Sequence, residues 1–253
     1  MRSSMKKFML FPLFLILCAS TCGKKEVIIN EPKESPAAGF FGVLERDLTN
    51  TAAVITNNEL IRNLTHLQRM DSGGNHYYPL EREALTKMIQ SLSTHPYADC
   101  FLLNASGTVI YTMYDNRLLA KNAESFPKSL SAPHRHAKAG EPWIVDTGDF
   151  PEMEGGPKLL FSIPVKRGNE IEGALIAALN EADIAAALSL KGKAVDRLGI
   201  IRLSSDASEL FTAIPDLNLE NVTAAGIAET ASGKVRLTPF AFRNLQWIIV
   251  TPE

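Results

Sequence analysis

The chain is 253 residues long, with 45% apolar and 21% charged residues and a formal net charge of −2, enough apolar material for one good core or two small ones. This composition excludes a disordered or low-complexity protein. Its mildly acidic balance argues against nucleic acid as a partner.

In chain order, the first element reads as an export signal. Arg2, Lys6 and Lys7 precede an unbroken apolar run from Phe8 to Cys18, a cationic region followed by a short hydrophobic one. The run falls short of the ~20 apolar residues a bilayer-spanning helix needs. Ala19-Ser20-Thr21-Cys22-Gly23 resembles the bacterial lipobox, in which a cysteine after small residues is acylated through its sulfur and becomes the new N-terminus. The alternative is plain secretion with cleavage near Thr21, leaving Cys22 an ordinary thiol. Lipidation is preferred because Gly23 to Ala38 is a charged, proline-containing tether without apolar periodicity. Removal of residues 1–21 takes away three cations and moves the formal charge from −2 to −5. With Cys22 acylated, Cys100 is left alone within an apolar strand pattern, where a buried, inert thiol is expected.

From Phe40 the spacing turns helical. Phe41, Leu44, Leu48, Ala52 and Ile55 recur at three and four residues, and Leu60 or Ile61, Leu64 and Leu67 continue the pattern as one long helix or a second one. Gly73-Gly74 ends it. Leu85, Met88, Ile89 and Leu92 predict a shorter helix that Pro96 stops. A first hairpin follows across Tyr97 to Tyr111, turning at Asn104 to Gly107, and a second across Leu159 to Leu179, turning at Lys166 to Asn169. Between them lies a polar and aromatic insert, Asp115 to Lys158, with a loop from Phe126 to Pro133, a short helix from His134 to Lys138 and a strand over Trp143 to Asp146. Two hairpins of one sheet with a long insert across one face describe a cup.

The second hairpin runs into a helix over Asn180 to Leu190, with Gly192 as its C-cap. The remainder repeats the plan in smaller form: a strand from Val195 to Leu203, a turn at Asp206 to Ser208, a strand at Leu210 to Ala213, a helix from Asn221 to Ala231, and a final strand pair turning at Arg243-Asn244.

The long leading helix, the strand-Asn-x-x-Gly-strand unit, Gly140-x-Pro142-x-x-x-Asp146, Phe161-Ser-Ile-Pro-Val165 and Glu170-Ile-Glu-Gly-Ala-Leu-Ile-Ala177 together resemble the Cache sensor domains of bacterial chemoreceptors and sensor kinases. The tail from Gly192, closing on Pro239-Phe and Trp247-Ile-Ile-Val250, is similar to the smaller module of double Cache proteins. The resemblance implies an α+β fold: a long N-terminal helix and two PAS-like antiparallel-sheet modules, with ligands bound in the membrane-distal one. The division expected is a signal peptide over 1–21, a tether over 22–37, a distal module with its leading helix over 38–191 and a smaller proximal module over 192–253. Amino-acid-binding members carry an Arg-x-Trp-Tyr run where this chain has Ser131-Ala-Pro-His134, and an aspartate where it has Ala178. An α-amino acid would therefore lack both its carboxylate clamp and its amine partner.

Tyr111, Tyr114, Trp143, Asp146 and Asp149 are the candidate ligand-binding residues, an aromatic wall with acceptors for a small polar or cationic ligand. The alternative makes Tyr111 and Trp143 core and the acids solvated loop residues. His134 and His136 lack a third ligand at metal-binding spacing and read as a cationic loop, and Asp149, Glu152 and Glu154 read as an exposed acidic loop rather than a calcium site. No cofactor or metal is expected. No nucleophile elbow, phosphate-binding glycine loop or partnered cysteine is present, so the chain is not expected to be an enzyme. With no output domain expected on the chain, a signal would pass to a separate membrane partner. The alternative is a structural or docking lipoprotein that uses the fold without a ligand.

Overall fold

The structure, a computed structural model, describes residues 36–70, 77–126, 130–148, 150, 158–214, 219, 222, 224–230 and 233–253. The expected signal peptide, Cys22, most of the tether, Gly73-Gly74, Asp149, Glu152 and Glu154 lie outside the described residues.

Helix α1 runs over Pro36–Asn57 and α2 over Leu60–Met70. They are two helices because Glu59 between them takes φ 54°, which ends the helical run. The apolar stripe of α1 is inward, with Phe41, Leu44, Leu48 and Ile55 at most 1% exposed. Helix α3 follows over Tyr77–Leu92.

The first sheet contains β1 (Asp99–Asn104), β2 (Val109–Thr112), β3 (Trp143–Gly148), β4 (Lys158–Arg167) and β5 (Glu170–Asn180), in the order β2-β1-β5-β4-β3 and antiparallel throughout. Strand alternation divides its side chains between two layers. Cys100, Leu102, Phe161, Ile163, Leu175 and Ala177 pack with α1–α3. Phe101, Leu103, Leu160, Ala174, Ile176 and Ala178 pack on the opposite face, beneath α4 (Ser131–Lys138) and the connection that carries it. Burial pushes the Cys100 thiol up, far from any thiolate role.

Helix α5 covers Glu181–Ala187. It does not reach Gly192. Ser189 takes the positive φ, 47°, near its end, while a Cβ on Gly192 would lie 2.0 Å from the Val250 carbonyl oxygen, so that glycine permits a close backbone crossing instead of a cap. The second sheet contains β6 (Lys193–Val195), β7 (Ile201–Ser204), β8 (Gly226–Thr230), β9 (Gly233–Phe242) and β10 (Leu245–Pro252), in the order β7-β6-β10-β9-β8. This is the first sheet's order repeated.

Three sequence expectations fail here. The single strand from Val195 to Leu203 is two strands, since Asp196 accepts from the amides of Leu198 and Ile200 and folds a turn closed by Gly199 at φ 77°. Leu210 to Ala213 is no strand but a turn with one isolated bridge, Ile200 to Ala213. The helix expected over Asn221 to Ala231 is replaced by β8, which pairs with β9 from Gly226 to Thr230 and leaves Ile227 57% exposed. The open edge of β9 outweighs a weak helical pattern of small residues.

The two sheets share one core. Phe41 of α1 stacks on Phe240 and Phe242 and meets Trp247 edge-on, while Phe161 of β4 meets Phe242. The β9–β10 turn is clamped twice. The Arg243 guanidinium pairs with Glu45 of α1, and the Asn244 amide both accepts from the Ile144 amide (2.9 Å) and donates to its carbonyl (2.6 Å). No helix among the described residues is long and apolar enough to cross a membrane.

Candidate functional site

The polar groups of the first sheet's α4 face gather around β3 and α4. Leu130, Pro133, His134 and Ala137 form the buried stripe of α4 at three- and four-residue spacing, so a histidine occupies a core position. His134 packs on the first hairpin turn. Asn104 Oδ1 accepts from the Ser106 and Thr108 amides, Gly107 stands at φ 81°, and a Cβ there would lie 2.8 Å from the His134 ring. The turn glycine is thus required twice, by its backbone and by the imidazole over it.

His136, on a different side of α4, stacks on Trp143 with ring centroids 3.5 Å apart and planes 2° from parallel, and its Nδ1 lies 3.3 Å from Glu141. Ser162, opposite Trp143 on β4, is wholly buried and donates to the Trp143 carbonyl at 3.1 Å. Among the described residues its hydroxyl points at the main-chain carbonyls of Trp143 and, at 3.5 Å, Pro133. Among the described residues no three His, Cys, Asp or Glu side chains gather as a metal site. What this patch offers is the stacked imidazole and indole of His136 and Trp143, with His134 and the Ser162 hydroxyl buried beneath it.

Burial holds the His134 pKa below the ordinary histidine value, helped by nearby Lys138 and opposed by a hydrogen bond to the Ala105 backbone and by Glu124. A depressed histidine contributes stability that is present above the unfolded value of about 6.5 and lost as pH falls through the folded value. The expected result is a thermal midpoint that drops on acidification below about pH 6.5, with a shallower drop in His134→Asn. Equal slopes in the two proteins would show that His134 does not carry the effect.

Of the five residues chosen from the sequence, the four described ones, Tyr111, Tyr114, Trp143 and Asp146, stand in different places. Tyr111 is wholly buried against α3, its hydroxyl 2.9 Å from Thr86. The cause is a bulge: Val109 faces Leu103 while Tyr111 faces Leu102, and the extra residue Ile110 reverses the alternation of β2. Tyr114 is 55% exposed and accepts from Gln90 of α3. Trp143 and Asp146 share β3 but turn to different partners, Trp143 to His136 of α4 and Asp146 to Trp247 of β10. Both Asp146 oxygens accept from the Trp247 indole N–H, at 3.0 and 3.1 Å, and Arg202 approaches to 3.7 Å. Asp146 therefore belongs to the joint between the sheets. Asp149 lies outside the described residues. The short helix expected over His134 to Lys138 is present and starts earlier, at Ser131, so the two histidines also read as a cationic loop stand on it, one buried and one stacked. Ser131 opens α4, and Ala178 is wholly buried on the sheet face beneath it.

No protein-family model matches the chain, and no curated protein matches it. Solved structures do. An extracellular ligand-binding receptor from Desulfohalobium retbaense superposes with a TM-score of 0.58 at 11% identity, over 85% of this chain but only 38% of the receptor. The sensor domain of the V. cholerae histidine kinase DctB superposes at 0.55 and 15% identity, over 86% of this chain and 93% of that one. The ligand-binding domain of the Pseudomonas aeruginosa amino acid chemoreceptor PctC, in complex with GABA, superposes at 0.54 and 16% identity, over 86% and 94%. These superpositions give the chain the fold of the Cache-type extracellular ligand-binding sensor domains.

Proposed function

We propose that the chain is an extracytoplasmic small-ligand-binding sensor module, anchored through lipid on Cys22 and signalling through a separate membrane partner. The observation that carries this reading is the fold, which superposes on the sensor domain of a histidine kinase and the ligand-binding domain of a chemoreceptor. Trp143 and His136 form the wall of the site. Asp146, on the same strand, relays movement of β3 to Trp247, and Asn244 does so through Ile144. A ligand shifts the arrangement only by its differential affinity for the two states. With Ser131 and Ala178 at the positions discussed above, the ligand is a small polar molecule other than an α-amino acid.

One observation favours the second reading, a docking lipoprotein without a ligand. Phe101, Leu103, Leu118, Phe126, Leu130 and Phe150 pack into the α4 face as a continuous apolar cluster. A thermal-shift screen against small metabolites separates the two. A ligand at a hundredfold excess over Kd adds about 2.7 kcal/mol, a rise of several degrees that Trp143→Ala removes. A flat response across a broad library supports docking. Incorporation of labelled fatty acid that is lost in Cys22→Ala supports the anchor, and absence of label in the parent protein removes it.

A further inference from the structure

The side of the first sheet that packs on α1–α3 carries a cleft of its own, apart from the α4 face. It opens between the α3–β1 connection, residues 93–98, and the chain leaving β2, and holds about 250 Å³, more than the ~150 Å³ cavity that takes benzene. Pro96 and Met113 give it apolar walls, and Tyr97 and Tyr114 bring two phenol rings. No acid, lysine or arginine is among the described residues that line it.

Hydrogen-bonding capacity is left over here. Tyr97 is 8% exposed, and its buried hydroxyl has no hydrogen-bond partner among the described residues. Ser93 lies beside this hydroxyl but donates its own proton to the His95 carbonyl, and no hydrogen bond to Tyr97 forms. Burial pushes the Tyr97 pKa up to about 12, so the phenol keeps its proton and is a donor. At the exposed rim, Gln90 Nε2 donates to the Tyr114 hydroxyl at 3.1 Å, which leaves the Gln90 carboxamide oxygen without a donor among the described residues. Both walls are held from outside the cleft. The Thr94 amide donates to Asp47 of α1 at 2.8 Å and the Tyr114 amide to Asp99 at 3.1 Å, so the site is formed before any ligand arrives. A buried hydroxyl without a partner is costly, and an acceptor on a ligand removes that cost.

We propose that this cleft binds a small uncharged amide, its carbonyl oxygen accepting from the Tyr97 hydroxyl, its N–H donating to the Gln90 carboxamide oxygen and its apolar part lying on Pro96 and Met113. An ion of either sign would lose hydration here without meeting an opposite charge. Binding does not rest on the α4 face of the same sheet holding anything.

The test is saturation-transfer NMR of benzamide on the purified full-length protein, with benzoate as the charged isostere. Saturable transfer to benzamide is expected, with benzoate weaker by about tenfold or more. Tyr97→Phe keeps the ring and removes the oxygen. It is expected to weaken benzamide about fivefold and, because the free protein loses no hydrogen bond, to leave the thermal midpoint equal to or above the parent's. Gln90→Ala, at the surface, weakens benzamide by a similar factor, about fivefold. Leu198→Ala, at a 78% exposed position between β6 and β7, leaves binding unchanged. Absence of transfer, equal affinity for acid and amide, or affinity unaltered in folded Tyr97→Phe or Gln90→Ala would overturn the proposal. A lowered thermal midpoint in Tyr97→Phe would show the hydroxyl already satisfied in the free protein and overturn it as well.

Discussion

Asp99→Ala is expected to unfold the first module at a far lower urea concentration than the parent. Asp99 is 3% exposed and its carboxylate accepts from four main-chain amides: Cys100 at 2.7 Å, Met113 at 3.0 Å, Tyr114 at 3.1 Å and Asp115 at 3.0 Å. The chain leaving β2 thus turns around one side chain at the start of β1. Met113 has a second acceptor in the Cys100 carbonyl. Truncation leaves the other amides without the partner on which the turn is built. With each desolvated donor costing roughly 1–3 kcal/mol, a total loss of about 3–5 kcal/mol is expected. For a domain of this size that lowers the thermal midpoint by roughly 6–20 °C. Asp99→Asn keeps one acceptor oxygen and is expected to fall between the two. A loss under about 1 kcal/mol for Asp99→Ala would show that water replaces the carboxylate at no great cost.

Trp247→Ala is the second large effect. The ring is 2% exposed, meets Phe41 and Phe240, and its N–H binds Asp146 of the first sheet. Removing a buried tryptophan costs about 3–5 kcal/mol. Trp247→Phe keeps most of the apolar contact and loses only the hydrogen bond to a charged acceptor, about 1.5–3 kcal/mol. Urea unfolding of Trp247→Phe, Asp146→Ala and the double variant closes a cycle. A coupling of about 1 kcal/mol or more is expected if the indole and the carboxylate tie the sheets together, and additive losses would show two unconnected residues.

The hairpins were legible because their signals are local. Asn104 to Gly107 and Lys166 to Asn169 are turns whose glycines take positive φ, and the alternating apolar residues beside them pair in the first sheet. What escaped depends on partners distant in sequence. The bulge at Ile110 turns Tyr111 from one face to the other, and nothing in Val109-Ile-Tyr-Thr112 announces it. β8 forms because β9 offers it an edge. Other information was present in the sequence. Regular strand alternation over Trp143 to Asp146 would already set the two on opposite faces of β3. The spacing Leu130, Pro133, His134, Ala137 already places His134 on an apolar stripe, and reading Ser131–Lys138 as a helix from its first turn would have shown it buried. The joint through Asn244, Arg243 and Trp247 joins residues about a hundred or more positions apart, beyond the reach of any local pattern.

The central claim, that a ligand taken up by this fold is felt across the joint between its sheets, is tested most directly by hydrogen exchange with and without the compound that most stabilises the protein. The account predicts slowed exchange over α4 and β3 and, with it, over the Arg243-Asn244 turn and β10. Slowing confined to α4 and β3, with the turn and β10 unchanged, or no change in α4 and β3 for any compound of a broad library, would contradict it.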